Sequence, residues 1–300
     1  MAITGATGFV GQAVLDEAAR QGLGARALAR RVPEDREQVR WIEGDLANEI
    51  ALTELVQGSR AVIHIAGLTN TPDPAQFHTV NVEGTANVIA AAKRAEARRL
   101  IFVSSLSARE PQLSRYGASK AEAEELVKAS GLDWTIVRPP AVYGPRDVDM
   151  FELFRFAKLH FIPLPPGGAT SIIHADDLAR LLLALAPSVP AVNRHVFEPD
   201  DGREGGWRHK ELAEAIGAAM GRRVIAPNLS SGLLSAAARL DRLFRGGKAR
   251  LTEDRVGYMC HPNWVVRSSA RIPAEIWQPR IQGEAGLKSA AEWYRRERWL

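Results

Sequence analysis

Cysteine is almost absent from this chain, and its scarcity excludes several kinds of site. The sequence of 300 residues contains one cysteine, Cys260, so it can form neither an internal disulfide nor a zinc site built from cysteines. Carboxylates offer no substitute, because the adjacent Asp176 and Asp177 have no further ligand cluster and are more simply the acidic first turn of a helix. We therefore expect no metal site.

Long hydrophobic runs are also absent. The most apolar stretch, residues 178–186, is interrupted by Arg180 and falls short of the ~20 residues that a membrane-spanning helix needs. The chain enters a glycine-rich turn at residue 5, without the apolar segment that is typical of a signal peptide. We expect a cytoplasmic protein without a membrane partner.

Charge of one sign is not concentrated in a nucleic-acid motif. The 39 Lys and Arg residues exceed the 35 Asp and Glu residues by a formal charge of +4. No basic stripe interleaved with aromatic residues stands out, so we expect no nucleic-acid partner. A chain of 300 residues is long enough for one large domain with a smaller lobe.

Three glycines follow a short apolar strand that begins at Ile3, and an apolar helical pattern follows them. Glycine permits a tight strand-to-helix turn, a close approach of the backbone to a pyrophosphate, and close packing of the helix on the sheet. The amide groups at the helix start would then face an anion. Turn chemistry alone can also explain three glycines at this spacing, and this alternative stays open here. The residues expected to contact a nicotinamide dinucleotide are Gly5, Thr7, Gly8, Phe9, Val10 and Gly11.

Two arginines end the second predicted strand, which covers residues 25–29. An enzyme that uses NAD places an acidic residue about 20 residues past the glycines, where it binds the ribose 2′-hydroxyl. Arg30 and Arg31 stand there instead, and guanidinium groups pair well with the 2′-phosphate of NADP. The alternative is a pair of solvated surface arginines. The sequence therefore favours NADP(H), with NAD(H) as the second choice.

Short apolar strands alternate with helices along the first half of the chain, at the spacing that is typical of a parallel sheet with crossover helices. We predict an α/β doubly wound parallel sheet of the Rossmann type, with helices on both faces and a smaller C-terminal substrate lobe. Residues 1–145 should form the dinucleotide-binding core, and residues 146–300 the remaining core elements and the lobe. The predicted elements include strands at 61–67, 100–105, 133–138, 194–198 and 222–226, and helices at 11–21, 75–96, 116–129, 151–160, 210–220, 232–245 and 285–298. His64 falls inside a strand, so we interpret it as a core histidine, or as one that supports a neighbouring site residue, rather than as a catalytic base.

A tyrosine and a lysine stand four residues apart at the start of a predicted helix. Tyr116 and Lys120 would lie on one helix face, one turn apart. A nearby ammonium group favours the phenolate and lowers the pKa of a tyrosine from its usual value of about 10. Such a pair is suited to general acid/base work on an alcohol or a ketone. The preceding strand ends in Ser104 and Ser105, at the edge of the sheet where ligands bind.

These motifs together resemble the short-chain dehydrogenase/reductase superfamily, in its extended or atypical branch. The matching segments are residues 4–11, 45–46, 64–67, 81–85, 103–105, 116–120 and 138–145, with a weaker match at 174–178. The resemblance implies an NAD(P)-dependent oxidoreductase that transfers hydride at a carbinol or carbonyl carbon of a small-molecule substrate.

The resemblance also implies roles for individual residues. Ser105 would hydrogen-bond the substrate oxygen, with Ser104 as the competing candidate, Tyr116 would transfer the proton, and Lys120 would hold the ribose and tune the tyrosine. The cofactor would be contacted by Asp45 and Leu46 at the adenine, by Ala66 and Gly67 at the adenosine side, and by Pro140 and Val142 at the nicotinamide, with Val103 and Pro139 beside them.

One departure from the family pattern bears on the substrate. Only ten residues separate Ser105 from Tyr116, whereas extended members carry a longer insert that contacts the substrate. This argues against a nucleotide sugar in particular. Two alternatives remain: an epimerase or dehydratase with transient redox chemistry, and a non-catalytic NADP(H)-binding accessory or sensor protein. By the same resemblance, a homodimer would form through the helices at 75–96 and 114–130.

Overall fold

The computed structural model describes residues 1–246 and 249–300. The strands, in chain order, are β1 Ala2–Thr4, β2 Ala25–Ala29, β3 Val39–Glu43, β4 Ala61–His64, β5 Arg99–Val103, β6 Asp133–Val137, β7 Ala141–Tyr143, β8 Ala169–Thr170, β9 Ile172–His174, β10 His195–Phe197, β11 Trp207–Arg208 and β12 Asn263–Trp264. The α-helices are α1 Phe9–Arg20, α2 Glu49–Val56, α3 Ala75–Phe77, α4 Gly84–Arg94, α5 Arg115–Lys128, α6 Phe151–Lys158, α7 Ala175–Ala184, α8 His209–Ala219, α9 Ser231–Arg245, α10 Glu253–Met259 and α11 Gly283–Arg296.

Seven strands form one parallel sheet in the order β10-β6-β5-β4-β1-β2-β3. The chain builds outward from β1 to one side, then crosses over and builds outward from β4 to the other side. The carboxyl ends of β1 and β4 therefore flank a crevice, which is where ligands bind in sheets of this kind. The predicted doubly wound sheet is confirmed.

Apolar side chains from helices cover both faces of this sheet. Val14 of α1 and Leu181 of α7 belong to the cluster on one face, whereas Leu52 of α2 and Val88 of α4 belong to the cluster on the other. Because both faces are covered, central strands such as β5 are buried along their whole length and read as continuous apolar runs. The cluster formed by α1 and α7 places the start of α1 at the crevice.

The helix predicted at 75–96 is interrupted by a π-helical turn. The chain passes from α3 into a π-turn at His78–Glu83 and then into α4. Inside that turn, the Asn81 side chain accepts a hydrogen bond from Leu68 N at 2.7 Å and donates one to Leu68 O at 3.0 Å. The wider turn thus carries an inward-facing amide, and π-turns frequently occur at functional sites.

The strand predicted at 222–226 is wrong. Only isolated bridges form there, between Phe161 and Ile225 and between Leu164 and Asn228. Proline lacks the amide hydrogen that a ladder requires, and prolines at 163, 165, 166 and 227 interrupt both segments. The two segments lie side by side without forming a sheet.

Elements after residue 145 form a second layer over the carboxyl edge of the large sheet. Phe154 of α6, Leu212 of α8 and Tyr294 of α11 share one apolar cluster, and β8 joins β11 and β12 in a small sheet. In contrast, α7 and β10 return to the large sheet. The division at residue 145 stays a prediction. None of the helices in the described ranges is long and apolar enough to cross a membrane.

Candidate active site

The glycine turn presents an open helix start at the crevice. Gly5 adopts a φ of +72°, and a Cβ there would lie 2.6 Å from the main-chain nitrogen of Ala66. A Cβ on Gly11 would collide with the Gly5 carbonyl oxygen, so this glycine lets α1 pack on the turn. Gly8 caps α1 without a side-chain hydrogen bond and is exposed, as is Thr7. The start of α1 is therefore an uncovered set of amide groups that can receive a pyrophosphate.

The cationic end of the crevice lies after β2. Arg30 and Arg31 are both exposed, and among the described residues neither forms a salt bridge. Asp45 follows β3 and uses one carboxylate oxygen to accept hydrogen bonds from Ala47 N and Asn48 N, at 2.9 and 3.1 Å. Its second carboxylate oxygen is thus available to a ligand. Leu46 packs against Gly84, where a Cβ would lie 2.7 Å from a Leu46 methyl group.

The two serines that follow β5 face different partners. The Ser104 hydroxyl donates to Glu124 Oε1 at 2.5 Å, and Glu124 is held bidentately by Arg138. The Ser105 hydroxyl instead accepts hydrogen bonds from Ser107 N at 3.2 Å and from Ser107 Oγ at 2.8 Å, and it acts to lower the pKa of the Tyr116 phenol. Because both of the Ser107 donors approach its oxygen, the hydrogen of Ser105 is free to be donated elsewhere. Of the two candidates, only Ser105 faces the tyrosine.

Lys120 is buried between β5 and the loop after β4. Its ammonium donates to Val103 O at 2.8 Å and lies 4.3 Å from the centre of the Phe102 ring. A Cβ on Gly67 would lie 3.6 Å from Lys120 Nζ. Burial lowers the pKa of Lys120 to about 8, although Glu124 opposes the shift. This lysine therefore sits beside the cofactor side of the crevice, and its charge is sensitive to its surroundings near neutral pH.

The pKa of Tyr116 is shifted upward, in the opposite direction to the sequence prediction. Burial raises it to about 12, and Tyr258 and Asp149 add to the rise, whereas Ser105 and Arg255 oppose it. Lys120 is not among the groups that shift this pKa, because its ammonium is directed to the end of β5. The prediction that lysine lowers the tyrosine pKa in the protein alone is wrong. At neutral pH the phenol is protonated and can donate a hydrogen bond or a proton.

A cavity of about 440 Å³ connects the tyrosine to the second layer. Its cofactor side is lined by the predicted residues Phe9, Val10, Gly67, Val103, Ser105, Tyr116, Lys120, Pro139, Pro140 and Val142. The remaining predicted cofactor residues, in the glycine turn and after β2, β3 and β4, do not line it. They lie along the other arm of the crevice, where the dinucleotide would extend. Ser104 also lines the cavity, but its hydroxyl donates its hydrogen bond to Glu124.

Several residues of the substrate side were not predicted. Arg255 and Tyr258 of α10 line the cavity together with Asp149, and the Arg255 guanidinium is paired with the Asp149 carboxylate at 2.9 Å. The ring centres of Tyr258 and Tyr116 are 6.2 Å apart. Nothing local in the sequence marks these residues, since α10 follows Tyr116 by more than 130 positions. Asn81 begins the segment 81–85 that resembles the family, but its residue type and spacing do not predict a role in the site.

His209 offers the cavity one more polar group. It lines the cavity, and its Nδ1 is buried without a hydrogen-bond partner among the described residues. Burial lowers its pKa, against an opposing hydrogen bond with the Pro166 main chain. His64, by comparison, has both ring nitrogens engaged, with Thr4 Oγ1 at 2.6 Å and Thr85 Oγ1 at 3.0 Å. It is a core histidine, as expected.

A nicotinamide dinucleotide fits this arrangement. Its pyrophosphate would lie at the start of α1 beside Gly8, where no Cβ or capping side chain occupies the space. When bound, the cofactor supplies or accepts hydride at the nicotinamide ring. The chain provides a hydroxyl at Ser105 that can hold an oxygen, a protonated phenol at Tyr116, and the Lys120 ammonium beside the loop at Gly67. Among the described residues, no group of three or more His, Cys, Asp or Glu side chains could hold a metal ion.

Comparison with known proteins decides the family. Residues 5–185 match the family model described as NAD(P)H-binding. This chain belongs to the NAD(P)H-binding short-chain dehydrogenase/reductase enzymes. It is 35% identical to the ceramide reductase of Caulobacter vibrioides, over 100% of this chain and 96% of that protein. It is 29% identical to the 2-alkyl-3-oxoalkanoate reductase of Stenotrophomonas maltophilia, over 95% of this chain and 96% of that protein.

A solved structure supports the fold independently. The structure of MoeE5 in complex with UDP-glucuronic acid and NAD has a TM-score of 0.76, with 24% identity and coverage of 98% of each chain. This likeness shows the fold. The NAD(P)H-binding family match and the two reductases that match nearly the whole chain show an NAD(P)-dependent enzyme of the oxidoreductase or epimerase type.

Proposed function

We propose that this enzyme uses NADPH to reduce a ketone to a secondary alcohol on a long-chain, ceramide-type lipid. The apolar lining of the cavity beyond Tyr116 carries this proposal. The side chains on that side are Met150, Leu153, Pro163, Leu164, Pro165, Leu212, Ala213, Met259 and Trp264. Burying an alkyl chain against such a lining contributes about 0.8 kcal/mol per CH₂ group.

The charges in the cavity argue against a nucleotide-sugar substrate. A diphosphate needs cations that are free to bind it. Of the described residues that line the cavity, Arg255 is neutralised by Asp149, and Lys120 is buried on the cofactor side. One further carboxylate, that of Asp147, lines the same space and would repel a diphosphate in its ionised form. The likeness to a nucleotide-sugar enzyme therefore supports the fold and not the substrate.

The names of two relatives agree with a lipid-like ketone. The ceramide reductase matches this chain over its full length, and the other relative reduces a 2-alkyl-3-oxoalkanoate. Both names describe reductases of molecules that bear alkyl chains. A ketone beside an amide or a carboxylate is the shared reacting group that we assign to this site.

Three side chains would carry the reaction. The Ser105 hydroxyl donates a hydrogen bond to the ketone oxygen, which polarises the carbonyl carbon toward hydride. As the carbon gains hydride, the protonated Tyr116 phenol gives its proton to the oxygen, and an alcohol forms. The Lys120 ammonium, which lies beside the loop at Gly67, would bind the cofactor ribose. The high pKa of Tyr116, about 12, suits the reductive direction because the proton donor is fully protonated at neutral pH.

The test is a chain-length series of 2-acylamino ketones, presented in mixed detergent micelles with NADPH and followed at the nicotinamide absorbance. Removing four buried CH₂ groups costs about 3 kcal/mol, which lowers kcat/KM about 100-fold. Leu153→Asn should reduce the difference in kcat/KM between long and short ketones, because Leu153 lines the cavity. Leu159→Asn is the matched control, since Leu159 lies at the end of the same helix and is 74% exposed.

Three results would contradict the proposal. Equal kcat/KM for short and long ketones would exclude the alkyl-binding role of the cavity. Epimerisation of a nucleotide sugar without net NADPH oxidation would assign the chain to transient redox chemistry. Tight NADPH binding without turnover of any ketone would assign it to the non-catalytic binders.

A further inference from the structure

The outward face of α9 is apolar and uncovered. We define the outer stripe as Leu233, Leu240, Leu243 and Phe244, together with the small residues Ala236 and Ala237 between them. We propose that the outer stripe docks on an anionic lipid surface, so that the enzyme works at a membrane surface without spanning it. This revises the expectation of no membrane partner, which rested on the absence of a spanning segment.

The exposure of these side chains is unusual for a folded surface. Leu233 is 60% exposed, Leu240 54%, Leu243 77% and Phe244 82%. At 3.6 residues per turn, the stripe fills an arc of about 120° of the helix. Leu234 and Ala238 occupy the opposite side and are buried. The helix therefore has two apolar faces, of which the fold covers only one.

The charges beside the stripe identify an anionic partner. Residues 231–250 contain five basic side chains and one acidic side chain. This segment accounts for the whole formal charge of +4, because the rest of the chain carries equal numbers of basic and acidic residues. Arg239 lies about 40° from Leu243 around the helix and is paired with the exposed Glu253. Arg245 is paired with Asp241 and Arg250 with Glu152. Arg242 is exposed and lacks a salt bridge with any described residue, and it lies on the polar side of the helix, about 100° from Leu243. An amphipathic helix with arginines on its polar side is typical of proteins that lie in the interface of anionic membranes.

One helix connects the outer stripe to the substrate cavity. The inner face of α9 packs on Val256 of α10 through Leu234 and Ala238. Tyr258 and Met259, which also belong to α10, line the cavity. The Asp254 carboxylate of α10 accepts hydrogen bonds from Arg115 N and Tyr116 N, at 2.5 and 3.3 Å. A surface bound to α9 would thus lie one helix away from the cavity that contains Tyr116.

A second copy of the chain is the competing occupant of the stripe. Two such faces brought together would place two copies of this net-positive segment beside each other, with like charges in close proximity. An anionic lipid surface instead provides apolar chains for the leucines and negative headgroups for Arg239, which borders the stripe. The charge pattern therefore favours the lipid surface over self-association.

The test is sedimentation of the full-length protein with vesicles, at low salt and without cofactor or substrate. Vesicles of phosphatidylglycerol and phosphatidylcholine are compared with vesicles of phosphatidylcholine alone. We expect binding to the anionic vesicles, at least about tenfold weaker binding to the neutral ones, and loss of binding at high salt. The double variant Leu243→Glu with Phe244→Glu should bind at least about tenfold less than the parent.

A matched control separates the stripe from general surface hydrophobicity. Ile50 of α2 is 82% exposed, as Phe244 is, and Ile50→Glu should leave vesicle binding unchanged. Circular dichroism checks that each variant is folded. Arg239→Gln should weaken binding to the anionic vesicles about fivefold, because Arg239 is the arginine that borders the stripe.

Three outcomes would overturn the inference: no binding of the parent to anionic vesicles, equal binding of the stripe variant and the parent, or a parent dimer that the stripe variant converts to a monomer while neither binds vesicles. None of these readouts needs turnover. Vesicle binding by a protein without ketoreductase activity would contradict the proposed function and support this inference, and activity in detergent without vesicle binding would do the reverse.

Discussion

The ammonium of Lys120 donates a 2.8 Å hydrogen bond to the main-chain oxygen of Val103. This contact ties the middle of the candidate catalytic helix to the last residue of β5. Lys120 is not among the groups that shift the pKa of Tyr116. In the protein alone, therefore, Lys120 acts on the strand end and the loop at Gly67.

We predict that Lys120 makes cofactor affinity depend on pH. Its pKa is about 8, so it is charged at pH 6.5 and becomes neutral as the pH rises through 8. The affinity for NADPH should fall over that interval, because a cation beside an anionic ligand is lost. Fluorescence titrations at pH 6.5, 7.5 and 8.5 measure the fall. Lys120→Met should bind NADPH weakly at every pH, with a flatter profile, and equal profiles for the parent and the variant would contradict the assignment.

Alanine substitutions at the two serines should affect different properties, activity at Ser105 and stability at Ser104. Ser105→Ala should lower the rate of ketone reduction about 10- to 100-fold by removing a hydrogen bond to the substrate oxygen, with little change in stability. Ser104→Ala should lower the free energy of unfolding by about 1–3 kcal/mol, because it removes a donor to the buried Glu124 carboxylate. Urea denaturation and steady-state kinetics on both variants distinguish the roles. A large loss of activity in Ser104→Ala at full stability would reverse the assignment.

Gly8 provides a test of the glycine turn that leaves the fold intact. Gly8 has ordinary extended dihedral angles, and a Cβ there meets only the Gly5 carbonyl oxygen, at 3.3 Å. Gly8→Val should fold normally and lose NADPH binding, because a branched side chain would fill the space beside the start of α1. Gly11→Val should not fold stably, since its side chain would collide with the turn. Retained NADPH binding in folded Gly8→Val would mean that the loop is only a turn.

Arg30 and Arg31 should set the choice between the two cofactors. Each charged hydrogen bond to a 2′-phosphate contributes about 1.5–3 kcal/mol, so the double variant to alanine should lose at least about tenfold in NADPH affinity. NADH affinity should hardly change. Fluorescence titration of both cofactors against the parent and the variant measures this. Equal or tighter binding of NADH to the parent protein would contradict the preference for NADPH.

The sequence predicted the parts of the site that depend on local spacing. The glycine turn, the strand end at Ser105 and the pair Tyr116 and Lys120 follow from strand alternation and helix periodicity, because the carboxyl ends of parallel strands meet at one edge. Arg255 and Tyr258 could not be predicted, since only the packing of α10 against α5 brings them to the cavity. The direction of the Tyr116 pKa shift was also out of reach, because it depends on how much of the surrounding water the fold removes.

The strand predicted at 222–226 and the uninterrupted helix predicted at 75–96 failed for different physical reasons. In the first, the residues favour an extended backbone, but neighbouring prolines remove the amide donors that a ladder needs. In the second, helical periodicity continues through Asn81, yet this side chain is fixed by Leu68 and the turn widens around it. Periodicity does not report such a tertiary hydrogen bond.

The most direct measurement is single-turnover hydride transfer from NADPH to a long-chain 2-acylamino ketone, followed at the nicotinamide absorbance in the parent and in Tyr116→Phe. The substitution keeps the ring and its packing, and it deletes only the hydroxyl. The account predicts a rate that is about 10²–10⁴-fold lower in the variant, with NADPH affinity almost unchanged. Hydride transfer at the parent rate in Tyr116→Phe would contradict it.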